Sequence, residues 1–212
     1  MIAAEGWPLI LLLLAVGGIL FNLTGLYGAL PAWLGAGALA WLYRDPNRHV
    51  PPLPLAVVSP VDGRVEYVKR EHDPYVDRQA IHVRLKMNAM GIFGLRSPIE
   101  GKLLKQWLYR SGEGVEVPHL AYFGQSPAAY YYVLWIQSDE QDDVVLILEV
   151  AGRWQTPNCY IKPGERVGQG QRCGRTRSST YVDLFMADNV RMEVGHDDHV
   201  LAGASVLATI IH

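Results

Sequence analysis

The chain has 212 residues, half of them hydrophobic, and a formal charge of −2, a size that suits one ordinary soluble domain plus an appendage. The slightly acidic balance excludes the basic stripe of a nucleic-acid-binding protein. Cys159 and Cys173 form no CxxC and have no second pair, which argues against a zinc site or a disulfide framework and for a reduced, cytosol-facing domain.

The first element is an uncharged run: from Gly6 to Tyr43 there is no Asp, Glu, Lys or Arg. It is too long for a secretory signal and lacks the basic start of one. As one helix it would measure about 57 Å, roughly twice a hydrocarbon core. Phe21-Asn22-Leu23-Thr24-Gly25 offers a turn near its middle, so residues 1–43 are predicted to form a membrane hairpin of two apolar helices. Each arm would reach about 26 Å. Trp7, Tyr27, Trp33, Trp41 and Tyr43 lie near the arm ends, as interfacial aromatics do, and Arg44 and Arg48 place the rest of the chain in the cytoplasm. Both termini then share that side of an inner or cytoplasmic membrane. The Asn22-Leu23-Thr24 sequon falls inside the apolar run and is read as chance.

Residues 44–55, RDPNRHVPPLPL, form a linker that Pro51, Pro52 and Pro54 keep extended. From residue 56 to 212 the pattern is alternation and short apolar runs bounded by Gly, Pro, Asp or Asn. Strands are expected at Ala56–Val58, Arg64–Val68, Ile81–Leu85, Lys102–Leu108, Tyr130–Ile136, Val144–Val150 and Val200–Ile211. Two echoes point to duplication. SPVDGRV (59–65) recurs as SPIEGKL (97–103), and GERVGQGQRC (164–173) as DDHVLAGASV (197–206). The expected fold is mainly β, a compact sandwich or barrel of interlocked hairpins similar to the lipoyl/biotinyl type.

The chain resembles the short, membrane-anchored type of phosphatidylserine decarboxylase. The resemblance rests on YRDPNRHVP leading into VVSPVDGRV, then RSPIEGK, YIKPGERVGQGQRCGRTRSSTYVDLFM and VLAGASVLATI, in that order. It implies a proenzyme that cuts its own backbone at a Gly-Ser bond. The Ser hydroxyl attacks the preceding carbonyl, the resulting ester eliminates, and the Ser becomes an N-terminal pyruvoyl ketone. That ketone takes the substrate amine and acts as an electron sink while CO2 leaves. By the resemblance, Asp62 of Ser59-Pro60-Val61-Asp62-Gly63 is the base or the orienting acid. On residues alone, Asp before Gly is also an ordinary turn pair.

Two positions depart from the family pattern. Its catalytic His falls on Gly91, Phe93 or Gly94, and its Gly-Ser falls on Ser179-Thr180 or, with one gap, on Ser178-Ser179. Thr180 as nucleophile would give a 2-oxobutyryl group; Ser179 would give pyruvoyl. In both registers a Ser replaces the Gly that eases backbone strain. His82 is predicted to be a partly exposed strand residue with no local charge partner. His196, Asp197, Asp198 and His199 are assigned to a solvated turn, with no metal site. Tyr130, Tyr131, Tyr132 and Trp135 are expected to fill a strand face or touch lipid rather than bind a base. Arg96 and Arg177 are candidates for a lipid phosphate.

The resemblance supports two functions. One is decarboxylation of phosphatidylserine to phosphatidylethanolamine in phospholipid biosynthesis. The alternative is a non-catalytic, unprocessed relative that binds membrane phospholipid or a partner protein. No nucleic-acid partner is expected, and a homo-oligomer is left open.

Overall fold

Gly25 divides the uncharged run. Its φ of +75° suits a residue without a Cβ, and its N–H still bonds back to the Phe21 carbonyl at 3.0 Å. Helix α1 spans Trp7–Thr24 and α2 Leu26–Leu42, and they fold back on one another. Phe21 stacks on Trp33 with ring centroids 5.8 Å apart. A Cβ on Gly17 would stand 2.3 Å from the Trp33 indole nitrogen, so the glycine makes room for that ring. Helix α1 is long and apolar enough to cross a membrane; α2, at 17 residues, is shorter.

The structure is a computed structural model that describes residues 6–44, 48–88, 94–111, 118, 130–151, 158–175 and 179–211, with only the backbone of Asn158, Ser179 and Thr180. It divides into two compact units, 1–48 and 49–212. Among the described residues the second is built of strands: β1 Ala56–Val58, β2 Gly63–Asp73, β3 Arg78–Met87, β4 Gly94–Arg96, β5 Gly101–Arg110, β6 Tyr130–Gln137 and β7 Asp143–Val150. After these come β8 Asn158–Cys159, β9 Arg166–Val167, β10 Arg172–Arg175, β11 Ser179–Ala187, β12 Val190–Met192, β13 His199–Val200 and β14 Val206–Ile210. An eight-stranded sheet, ordered β13-β2-β3-β11-β7-β6-β5-β9, curls into a half-barrel. Two three-stranded sheets, β1-β14-β12 and β4-β10-β8, complete the unit.

Alternation along these strands makes two faces. Val83, Leu85, Leu146, Leu148, Val182, Leu184 and Met186 enter the main core. Ala80, Val133, Val145, Ile147 and Phe185 form a smaller cluster on the other face. Tyr131 and Tyr132 are buried in β6. The fold class expected from the pattern is thus the one found. One expected strand is not continuous: Val200–Ile211 breaks into β13 and β14, because Gly203 turns the chain at φ +71°.

The echoes are a structural duplication. Ser59 Oγ donates to the Val61 carbonyl and Ser97 Oγ to the Ile99 carbonyl, each at 2.7 Å. The copies clasp each other: Val58 N–H donates to the Pro98 carbonyl at 2.8 Å, and Arg96 N–H to the Pro60 carbonyl at 3.0 Å. Gly63 pairs with Val200 as Gly101 pairs with Val167. The same bulge recurs beyond each glycine, between Val65 and Tyr67 and between Leu103 and Lys105. Gly203 N–H bonds the Ser59 carbonyl, and Gly170, at φ +66°, bonds that of Ser97.

Candidate active site

Duplication supplies an internal control for Asp62. Its counterpart is Glu100, whose side chain is 66% exposed and reaches Arg166 at 3.8 Å. Asp62 is only 7% exposed. Its Oδ1 accepts the Ala202 N–H at 2.8 Å, and its own carbonyl accepts the Asn88 N–H at 3.0 Å. Both motifs make the same turn, so the turn alone does not account for burying this carboxylate. Burial of a carboxylate costs free energy that a turn residue has no need to spend.

The sheet brings the Asp62 turn to the same end as the candidate cleavage bond. Gly63, next to Asp62, pairs with Met87 on β3, and Lys86 on β3 pairs with Tyr181 on β11. Two strand spacings, about 10 Å, separate the backbones. On the other side of β11 Ser179 pairs with Val150 and Tyr181 with Glu149, so a register shift falls at Thr180. Such bulges re-aim a side chain and interrupt the ladder.

The other expected residues are placed as follows. Arg96 closes β4, pairs with Arg172, and its Nη1 donates to the Gly170 carbonyl at 2.9 Å. Arg177 and Ser178 lie outside the described residues, as do Gly91 and Phe93. Gly94, the third position considered for the family's His, pairs with Arg175. The segments holding the expected His position and the cleavage bond therefore set out from one cross-strand pair. The four residues 196–199 serve their turn and its neighbours. Arg64 bonds Asp197 and His199, each at 2.7 Å, Gly195 N–H donates to Asp198, and His196 Nδ1 meets the Glu66 carbonyl.

His82 corrects the sequence reading. It is wholly buried, with Nδ1 2.8 Å from Glu71 Oε2 and Nε2 2.8 Å from Asp183 Oδ1. Its ring stacks on Phe185 at 4.3 Å and meets Tyr67 edge-on at 5.1 Å. The charge partners come from neighbouring strands, which a local reading could not reach. His82 pairs with Phe185, five residues from Thr180, so at about 3.3 Å per residue it stands some 16 Å from the candidate bond. It is no substitute for the family's His.

Beside it, Arg84 joins Asp183 at 3.3 Å, Glu149 at 3.0 Å and Glu66 at 3.5 Å, and its guanidinium lies 4.3 Å from the Tyr181 ring centroid. Burial alone would lower the Arg84 pKa, but Asp183 and Glu149 drive it above its ordinary range. Burial, then Asp183, pushes the Tyr67 hydroxyl up to about 12. The only sequence signal for this cluster is the alternation of His82, Arg84 and Lys86 with apolar residues. The fold also brings together the free thiols of Cys159 and Cys173. Their mutual hydrogen bond holds Cys159 below, and Cys173 above, the ordinary thiol range.

Comparison with known proteins places these residues in a family. The family model described as phosphatidylserine decarboxylase matches residues 37–208. A phosphatidylserine decarboxylase proenzyme of Nitrosomonas eutropha is 34% identical over 209 residues, covering 98% of this chain and 94% of the relative. Proteins of the same name from Cupriavidus metallidurans and Aromatoleum aromaticum are 33% and 31% identical over 211 residues. Each of these alignments covers 99% of this chain and at least 95% of the relative. No solved structure matches.

Proposed function

Since the chain belongs to the phosphatidylserine decarboxylase family, we propose that it is a self-processing proenzyme that decarboxylates phosphatidylserine to phosphatidylethanolamine. The observation that carries this reading is the contrast between Asp62 and Glu100. Of two equivalent turns, only the one at the cleavage end of the sheet buries its carboxylate. The bulge at residue 180 supports the register in which Thr180 is the nucleophile and Ser179–Thr180 the bond cut.

The residues present fit a ketone made from the chain itself. Asp62 takes or orients the Thr180 hydroxyl proton, and Thr180 Oγ1 attacks the Ser179 carbonyl. The Ser179–Thr180 C–N bond breaks as the ester forms. Loss of the Thr180 Cα proton breaks the Cβ–O bond and frees the Ser179 carboxylate. Hydrolysis then releases ammonia and leaves a 2-oxobutyryl N-terminus on residue 180. When formed, that ketone supplies the electron sink for loss of CO2 from the substrate amine. Arg96 and Arg177 are the cations assigned to the lipid phosphate. The helical hairpin within residues 1–43 anchors the protein to the inner membrane, the linker 44–55 comes next, and the β domain 56–212 faces the cytoplasm.

A second reading draws on the absence of His from positions 91, 93 and 94: an uncut relative that holds phospholipid or a partner protein without turning it over. Intact mass of the purified protein separates the two. Two chains joined non-covalently, the shorter beginning at residue 180 and reactive to a carbonyl reagent, support the enzyme. A single 23.6 kDa chain without carbonyl reactivity supports the relative.

A further inference from the structure

The charged cluster on the far face of the sheet ends where the cleavage bond begins. Glu71, His82, Asp183, Arg84 and Glu149 form a continuous line across β2, β3, β11 and β7. Asp183 and Glu149 are each 3% exposed, and Arg84 pairs with both. Arg84 touches β11 twice, through the ion pair to Asp183 and by lying over the ring of Tyr181, the residue after Thr180. Lys86 and Arg84 are the register partners of Tyr181 and Asp183, so both contacts hold the strand in the pairing described.

We propose that Arg84 is a positioning residue for self-processing, which rests on the proposed scission of the Ser179–Thr180 bond. Before scission one side of that bond is offset by the bulge, and attack on a carbonyl needs the other side held still. Arg84 clamps residues 181 and 183 and so fixes the backbone that carries the Thr180 hydroxyl. After scission β11 becomes a chain end, and chain ends fray unless tied down. The same two contacts keep the backbone of residue 180 at the Asp62 end of the sheet. Arginine is required because its flat fork can stack on a ring and pair with carboxylates at once, which the point charge of lysine does not reproduce.

The test is the scission rate of the full chain, monitored by intact mass, with a thermal melt of each variant. Arg84→Lys keeps the charge among the carboxylates and is expected to slow scission at least 10-fold. Tyr181→Leu should slow it comparably, and Tyr181→Phe, which keeps the ring, should stay within 2-fold of wild type. If Arg84 acts through Tyr181, the double variant Arg84→Lys/Tyr181→Leu is no slower than the slower single one. Val145→Ala, a cavity on the same face, controls for lost stability and should leave scission within 2-fold. Wild-type scission in Arg84→Lys, additive losses in the double variant, or equal slowing in Val145→Ala overturns the positioning role while leaving self-processing intact. A wild-type chain that stays whole overturns both.

Discussion

Replacing Asp62 by Asn separates its chemistry from its place in the fold. The Asn carbonyl can still accept the Ala202 N–H that Asp62 Oδ1 holds at 2.8 Å. What is lost is the difference between a charged and a neutral acceptor, about 1 kcal/mol. For a unit of this size that lowers Tm by about 2–4 °C. Loss of a general base slows the reaction at least about 100-fold. Asp62→Asn should therefore fold, melt a few degrees lower and remain a single chain over the time in which wild type divides. Glu100→Gln, at the equivalent exposed position, should match wild type in both respects. A mass time course run beside a melt reads both quantities. Wild-type scission in Asp62→Asn, or equal slowing in Glu100→Gln, would refute the inference drawn from the duplicated turn.

Three further outcomes concern the clasp, the acid range and the thiols. A Cβ at Gly101 would stand 2.1 Å from the Gln137 carbonyl oxygen, and one at Gly63 2.3 Å from that of Lys86. Because the obstacle is backbone in both copies, Gly101→Ala should cost about 1–3 kcal/mol, read as a fall in Tm. An unchanged melt would show that the clasp is loose. Burial, above all, raises Asp73 above its ordinary 3.8 despite the Tyr75 and Val76 N–H groups it accepts. Its contribution to stability is thus complete below pH 3.8 and is lost as pH rises through the raised value. Asp73→Asn removes this slope, so its stability relative to wild type should climb above pH 4 and level off once the pH has passed the raised value; a constant difference would contradict the assignment. Iodoacetamide near pH 7.5 should modify Cys159 before the buried Cys173, and the reverse order would show that the thiol pair is arranged otherwise.

The duplication was legible in the sequence because its turns admit few alternatives. A Ser whose hydroxyl bonds two residues ahead and a Gly pressed on a neighbouring carbonyl leave a recognisable spacing. Period-2 alternation marked the long strands for the same local reason. His82 was misread because burial on a strand is decided by what lies across it. Glu71 is 11 residues away and Asp183 is 101, distances over which sequence spacing says nothing of proximity. Arg84 and Tyr181 escaped notice likewise: a cation and a ring on adjacent strands carry no shared motif. The split of Val200–Ile211 came from a glycine inside an apolar run, where hydropathy outweighed the turn signal. Asp62 could be named from its motif, but only the fold shows that its twin is exposed.

The central claim is that the bond before Thr180 breaks and leaves a ketone. Intact mass of the purified protein, with and without a carbonyl-reactive hydrazide, tests it directly. The account predicts a long chain ending at Ser179 and a short one, 180–212, whose N-terminal mass is that of a 2-oxobutyryl group and which alone gains the hydrazide. A single unlabelled 23.6 kDa chain would contradict it.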